Sequence, residues 1–423
     1  MRLATPERVL IDTDGDRFHA ARAAHDGGTM QTSSRAGPFA PRHPWQVLFA
    51  GIASLVLTVG LARFAYTPLL PLMQEQAGLS DALGGWLATV NYAGYMTGAL
   101  IASAAADGAL RHRLYRVGLL AGLVGTIGMG MTCDPVAWMA LRYVAGVGSA
   151  AGLLLASGMV LGWLVARGRR PELGTHFSGI GLGIVVSGVL VAAMTPGLDW
   201  ARQWTVMGLV GLALLVPAWL WMPAPQPAAT TAVRAAPRAP GLGMWLLIAS
   251  YFFAGVGFVI SATFLVAATQ KQPAFAGLGF LAWVLVGLIA IPATFAWDRI
   301  ARRIGEVPAL IAAYCLQGLS SLLPVFSAGA WAALGGAALF GFTFIGVVSL
   351  MLTLVGRRNG ANPSQAMARL TLSYGVAQIA APALVGMVAD RTGSYDAGLW
   401  TAALAMFAGA AVVAAYATAE RRG

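Results

Sequence analysis

Long runs of apolar residues, separated by short polar segments, dominate this chain. Each run holds about 20 residues or more, enough for an α-helix to cross a hydrocarbon layer about 30 Å thick. Backbone groups within lipid must satisfy one another, so the runs are predicted to be helices. The pattern therefore predicts an all-α integral membrane protein with 12 transmembrane helices. The runs lie at 45–73, 82–106, 114–132, 136–166, 173–195, 200–222, 242–269, 274–297, 307–326, 329–355, 364–389 and 396–417.

Two segments lie outside these runs. Residues 1–44 are polar, mixed in charge and without the apolar stretch of a secretory signal, so we expect a disordered cytoplasmic tail. Met30 within it is an alternative translation start. Residues 223–241 are rich in Pro and Ala, and their prolines interrupt a helix. This segment is predicted to be a cytoplasmic linker between two six-helix bundles, at 45–222 and 242–423.

The composition favours a membrane protein and disfavours other classes. Of 423 residues, 58% are hydrophobic and only 10% are charged, whereas soluble domains are about 25% charged. The net charge of +11 would suggest nucleic-acid binding in a soluble protein. Here the basic residues lie in short loops, so we expect no nucleic-acid partner. Two cysteines form no metal-binding pattern, no ATP-binding loop occurs, and no catalytic cluster is visible, so neither a metal, a cofactor nor an enzyme is predicted.

Basic residues are distributed unequally between the two sets of loops. One set contains 15 arginines, whereas the opposite set contains only Arg202, Lys271 and Arg391. Loops rich in arginine and lysine stay in the cytoplasm. The first set is therefore predicted to be cytoplasmic, with both termini on that side of a bacterial plasma membrane.

A short pattern recurs in the two halves of the chain. Asp107 is followed four residues later by Arg111, and Asp298 is followed at the same spacing by Arg302, in the corresponding loop of the second half. Duplicated halves with a binding site between them are typical of transporters. The recurrence predicts two pseudo-symmetric bundles.

These loops resemble the major facilitator superfamily, whose loop between helices 2 and 3 carries the pattern G-x-x-x-D-R-x-G-R-R. The copy at Asp107 and Arg111 is degraded, whereas the second copy, with Asp298, Arg299 and Arg302, is closer. The resemblance covers about residues 45–418. It implies alternating access, in which we expect both aspartates to pair with nearby arginines or helix ends and to favour the outward-facing state.

Three further segments carry the resemblance. Arg142, Gly146 and Gly148 match the R-x-x-x-G-x-G pattern of helix 4 in the same superfamily. The segments Gly60–Tyr66 and Asn91–Tyr95 resemble the YbfB/YjiJ-type branch. The branch implies proton-driven movement of a small solute without naming the solute.

Three arginines lie inside apolar runs, where each costs about 2.5–3.5 kcal/mol at a helix centre on insertion scales. Arg369 either anchors the chain at the cytoplasmic surface or belongs to a site. Arg63 and Arg142 are predicted to lie at similar depth. Either they bind a substrate anion together, or they cap carbonyl groups of a broken helix.

Polar side chains suited to bind a solute accompany these arginines. Asn91, Tyr92 and Tyr95 share one helical face. With Tyr66 and Gln378 they complete the predicted substrate-binding set. Hydrogen bonding and packing between helices is the alternative.

No Asp or Glu lies well inside an apolar run. Proton coupling would therefore use Glu75 or Asp81 at a helix end, His176, or the substrate itself. The sequence predicts a monomeric secondary transporter of a small organic anion that works by proton symport. An exporter of drugs or metabolites, and a membrane sensor that transports nothing, are the alternatives.

Overall fold

A computed structural model describes residues 43–105, 107–168, 174–223, 241–272, 278–327, 329–358 and 363–422. Every regular element within these ranges is a helix. The predicted tail and Met30 lie outside the described residues, apart from the last two positions of the tail. Most of the predicted linker also lies outside them.

Ten of the helices are long and apolar enough to cross a membrane, whereas α2 and α3 do not meet that criterion. The all-helical membrane fold is therefore confirmed, and the count of 12 spans stays a prediction. The helices are α1 (Pro44–Ala77), α2 (Asp81–Ala104), α3 (Gly108–Met129), α4 (Pro135–Ala166), α5 (Gly174–Met194), α6 (Trp200–Trp221), α7 (Leu242–Gln270), α8 (Phe280–Ile304), α9 (Glu306–Phe326), α10 (Ala330–Arg358), α11 (Pro363–Thr392) and α12 (Asp396–Arg422).

Short polar side chains determine where several helices begin. The side chains of Ser80, Asp107, Asp134 and Asp199 each accept a hydrogen bond from the backbone N–H three residues later, at 2.8–3.1 Å. Such caps satisfy N–H groups that have no partner in the first turn of a helix. At the other end of α1, Gly78 adopts a left-handed φ of 66° and terminates the helix.

Helices α1 and α4 both contain a wider, π-helical stretch, at Val56–Phe64 and Ala151–Ala156. Pro68 and Pro71 follow the stretch in α1 and disturb its hydrogen bonding further. Such stretches occur often at functional sites. The stretch in α1 carries Arg63, so the arginine projects from an irregular part of its helix.

Glycines of the predicted helix-4 motif allow close helix packing. A Cβ atom on Gly146 would lie 2.0 Å from the carbonyl oxygen of Asn91 in α2. A Cβ atom on Gly148 would lie 2.6 Å from the carbonyl oxygen of Gly118 in α3. Small residues let transmembrane helices approach this closely. Both glycines therefore fix how α4 packs within the first half of the chain.

The first half, α1–α6, contacts the second half, α7–α12, through α1 and α7, α2 and α11, and α5 and α8. The hydroxyl of Thr67 donates to the carbonyl of Ala262 at 2.6 Å, and that of Thr89 donates to the carbonyl of Ile379 at 2.8 Å. We call the end that carries Arg202, Lys271 and Arg391 the arginine-poor end. Within the described residues, the hydrogen bonds between the halves lie towards this end or near the helix centres.

Candidate substrate site

Arg63 lies at the centre of the candidate site and is only 6% exposed. Its guanidinium carbon is 4.2 Å from the ring centroid of Tyr92, 4.8 Å from that of Tyr95 and 5.5 Å from that of Phe64. Aromatic faces attract a cation electrostatically. These rings stabilise the buried charge, but they offer its N–H groups no carbonyl or carboxylate.

Within the described residues, the Arg63 side chain makes no ion pair, and its buried Nε has no hydrogen-bond partner. A buried charged donor without an acceptor costs more than an ordinary lost hydrogen bond. Buried polar groups in proteins nearly always have partners. Among the described residues, Arg63 therefore lacks the acceptor that a buried charged group usually has.

Arg142 is equally buried, at 2% exposed, but it has acceptors within the chain. Its Nη1 donates to the carbonyl of Ala62 at 3.1 Å, and its Nε donates to the carbonyl of Leu87 at 3.4 Å. Its guanidinium also lies 4.4 Å from the ring centroid of Tyr66. These contacts match the capping alternative, because Ala62 belongs to the π-helical stretch of α1. The two arginines differ in this respect, because Arg63 has no acceptor among the described residues whereas Arg142 has two.

Two more of the predicted binding residues have partners within the first half. The Tyr66 hydroxyl donates to the carbonyl of Gly84 at 2.8 Å. The Asn91 amide donates to the carbonyl of Arg142 at 2.8 Å, while its buried Oδ1 has no partner within the described chain. Both side chains tie α2 to its neighbours. Their predicted role in substrate binding stays a prediction.

Two tyrosines from the second half complete the site, and neither was predicted from the sequence. The rings of Tyr251 in α7 and Tyr374 in α11 stack with their centroids 4.5 Å apart. The hydroxyl of Tyr374 is close enough to interact electrostatically with the guanidinium of Arg63, and the hydroxyl of Tyr251 interacts in the same way with that of Tyr95. The predicted residue Gln378 follows Tyr374 by one helical turn and is buried. The four-residue spacing between Tyr374 and the predicted residue Gln378 is the sequence signal that would have placed Tyr374 on the same helical face.

Further aromatic rings extend this surface. Phe258 stacks on Tyr374 at a centroid distance of 5.9 Å, and it lies 6.2 Å from Phe340. Phe64, whose ring centroid lies 5.5 Å from the guanidinium carbon of Arg63, meets Trp283 edge-on at 5.9 Å. The site thus consists of one unsatisfied cation between aromatic walls from both halves.

A second polar cluster joins the halves at the arginine-poor end; we call it the latch. Lys271, the only lysine of the chain, lies 3.3 Å from Asp81 through its Nζ. The Tyr395 hydroxyl and the Gln74 amide both donate to Oδ1 of Asp81. Burial, together with the hydrogen bond to Asp81, raises the pKa of Tyr395 above its usual range. The cluster joins α1 and α2 to the segments that follow α7 and α11.

The loop residues singled out by the resemblance lie at the arginine-rich end. Asp107 caps α3 through the N–H of Leu110 at 3.1 Å, and Arg111 donates through Nε to the carbonyl of Ala105 at 2.7 Å. For the second copy, at Asp298, Arg299 and Arg302, no ion pair occurs within the described residues. The first copy thus contacts helix ends, and the predicted role of both copies in alternation stays a prediction.

The fold, with a buried cation between two helical halves, defines a transporter of the major facilitator type. The family model described as "Uncharacterised MFS-type transporter YbfB" matches residues 55–414, and the chain belongs to that family. This confirms the superfamily and the branch that the motifs of α1, α2 and α4 indicated. The family is one of transporters and not of enzymes.

Similar curated proteins include transporters named for organic acids. The chain is 25% identical to the gallate transporter of Pseudomonas putida over 236 residues, covering 54% of this chain and 51% of that protein. It is 26% identical to the cis,cis-muconate transport protein of Acinetobacter baylyi, covering 46% of each. It is 25% identical to the 4-hydroxybenzoate transporter PcaK of Pseudomonas putida, covering 43% of this chain and 40% of that protein. The matched stretches thus span about half the length of these relatives or less.

Solved structures with the same fold are more distant in sequence. A point mutant of the nucleoside transporter NupG matches with a TM-score of 0.68 at 14% identity, covering 89% of this chain and 98% of NupG. The human organic anion transporter MFSD10 (TETRAN) matches with a TM-score of 0.63 at 17% identity, covering 88% and 99%. At such identities the likeness establishes the fold alone.

Proposed function

We propose that this protein is a secondary transporter that moves a small organic anion across the bacterial plasma membrane by alternating access. The observation that carries the proposal is the buried guanidinium of Arg63, which has aromatic neighbours but no acceptor within the described chain. A carboxylate would accept its hydrogen bonds and neutralise its charge. The relatives named for gallate, muconate and 4-hydroxybenzoate support an organic acid as the solute.

The contacts between the halves support a particular state in the transport cycle. The latch and the hydrogen bonds of Thr67 and Thr89 hold the halves together at the arginine-poor end and near the centre. The arginine asymmetry of the loops supports an outer position for this end and a cytoplasmic position for both termini. We therefore interpret this conformation as closed to the outside. Alternation would separate the latch and bring the arginine-rich ends together.

Protons are the proposed coupling ion, and Asp81 is the carrier we favour. His176, another candidate, is buried, contacts Ser157 at 2.8 Å and packs against Gly51, and both partners belong to the first half. Its surroundings would stay the same if the halves move as rigid bodies. Asp81 instead has partners in both halves, so alternation changes its environment.

Flux measurements on the full chain in liposomes test the proposal. Labelled 4-hydroxybenzoate should enter under an inward proton gradient, after correction for protein-free liposomes, and neutral or cationic analogues should not. Arg63→Gln should abolish this uptake. Arg202→Gln, which changes an arginine that is 72% exposed, is the matched control and should transport normally. Entry of cations in preference to anions, or full uptake by Arg63→Gln, would contradict the proposal.

The orientation is tested separately by cysteine labelling in whole cells. Both native cysteines are first removed by Cys133→Ser and Cys315→Ser, because Cys133 is exposed. In that background a cysteine at Arg357 should be protected from an impermeant thiol reagent, and one at Ser327 should react. The reverse pattern would invert the assigned topology.

A further inference from the structure

We infer that the Arg63 site selects a planar aromatic acid with a single carboxylate and a ring hydroxyl group. The inference rests on the proposed function, since it names the class of anion that the same site would take. Three separate observations support it, one for each part of the ligand.

The single carboxylate follows from the number of unsatisfied cations. Arg142 is near Arg63, but its guanidinium already donates to the carbonyls of Ala62 and Leu87. Lys271 belongs to the latch at the arginine-poor end. A second carboxylate on the ligand would therefore have to compete with these carbonyls for Arg142 or lie among aromatic rings without a hydrogen-bond donor. Burial of a carboxylate without donors is strongly unfavourable.

The planar aromatic body follows from the walls around the cation. Tyr92 and Tyr95 cover the guanidinium from the first half, and Tyr374, on which Tyr251 stacks, lies near it in the second half. Phe258 continues the stack beyond Tyr374. Aromatic rings prefer stacked or edge-on contact with another ring to contact with an aliphatic group of equal area.

The ring hydroxyl follows from polar groups on those same walls. Tyr92, Tyr95 and Tyr374 lie near Arg63, and Tyr251 stacks on Tyr374, yet the hydrogen bonds among the described residues include none of these four hydroxyl groups. The Gln378 amide, one turn from Tyr374, is also without a hydrogen bond in this part of the chain. A site lined with free donors and acceptors favours a ligand that carries hydroxyl groups over one that lacks them.

Binding constants of the purified full chain for four small acids test the inference. Benzoate should bind about threefold to tenfold more tightly than cyclohexanecarboxylate, which has the same charge but no aromatic ring. Terephthalate, with two carboxylates, should bind at least about tenfold more weakly than benzoate. 4-Hydroxybenzoate should bind more tightly than benzoate. Equal binding of benzoate and cyclohexanecarboxylate, or tighter binding of terephthalate, would overturn the inference while leaving organic-anion transport intact. Failure of all four acids to bind would also overturn the inference, and the proposed function would then depend on whether the liposomes take up a non-aromatic organic anion such as cis,cis-muconate.

Two substitutions of Tyr374 test whether this residue produces the preference for aromatic acids and for a ring hydroxyl. Tyr374→Leu should bring the benzoate and cyclohexanecarboxylate constants to within about twofold of each other. Tyr374→Phe should keep the aromatic preference and reduce the advantage of 4-hydroxybenzoate. The matched control is Tyr143→Leu, because Tyr143 is partly exposed and its hydroxyl already bonds Thr97. Unchanged preferences in a Tyr374→Leu protein with a normal melting temperature would contradict this placement of the ring.

Discussion

Loss of the latch should shift the protein towards the state that is open at the arginine-poor end. The perturbation is Lys271→Ala, Asp81→Ala or both together. Lys271 contributes an ion pair with Asp81 at 3.3 Å and a cation–π contact 4.5 Å from the ring centroid of Tyr395. Its side chain is 45% exposed and that of Asp81 is 14% exposed, so solvent screens the pair in part.

The expected magnitude follows from these contacts. A partly exposed ion pair stabilises by about 0.2–1 kcal/mol, and an exposed cation–π contact adds about 0.5–1 kcal/mol. Together they amount to about 1–2 kcal/mol, or about a fivefold to thirtyfold change in the ratio of closed to open molecules. Asp81→Ala should have a larger effect than Lys271→Ala, because it also removes the acceptor for Tyr395 and Gln74.

Pulsed electron spin resonance between two labels at this end measures the shift. One label goes on native Cys133, which is exposed, and the other on Ser327→Cys, in a protein whose second cysteine is changed by Cys315→Ser. The variants should increase the population at longer distances. Arg202→Ala is the control, because the ion pair of this exposed arginine within the described residues is with Asp199 of the same helix end.

The double mutant decides whether Lys271 and Asp81 act through each other. Their combined effect should be smaller than the sum of the single effects by about 0.2–1 kcal/mol. Unchanged distance distributions in all three variants would show that the latch does not hold the closed state. Strict additivity would show that the ion pair contributes nothing to it.

Other variants test the roles assigned to particular contacts. Arg142→Gln should lower the melting temperature, since each carbonyl left without its partner costs about 1–3 kcal/mol; an unchanged melting temperature would argue against capping. Gly146→Ala should reduce the yield of folded protein, because its Cβ would lie 2.0 Å from a carbonyl oxygen, whereas Gly158→Ala meets open space and should be neutral. Asp298→Asn should slow transport at equal expression more than Asp107→Asn, whose amide can still cap α3. Equal effects of the two substitutions would refute the proposed role of the second loop.

Much of the fold was predictable because the length of an apolar run is a direct consequence of bilayer thickness. Arg63 was predictable for a similar reason, since an arginine inside such a run needs a compensating partner. The difference between Arg63 and Arg142 was not. It depends on the π-helical stretch of α1, which brings the carbonyl of Ala62 within 3.1 Å of Arg142.

The contribution of the second half was harder to predict. Helix α7 is apolar on nearly all sides, so its sequence does not show that Tyr251 faces the site. The latch was equally hidden, because Asp81 and Lys271 are 190 residues apart in the chain. Each is an ordinary charged residue at a helix end, and only the packing of the halves brings them together.

The most direct test of the account is the dissociation constant of 4-hydroxybenzoate, measured by calorimetry for the native protein and for Arg63→Gln. The guanidinium should supply hydrogen bonds to a charged acceptor that stabilise the complex by about 1.5–3 kcal/mol. The variant should therefore bind about tenfold to 150-fold more weakly, with an unchanged melting temperature. An Arg63→Gln protein that is folded and binds the acid as tightly as the native chain would contradict the assignment of Arg63 as the anion site.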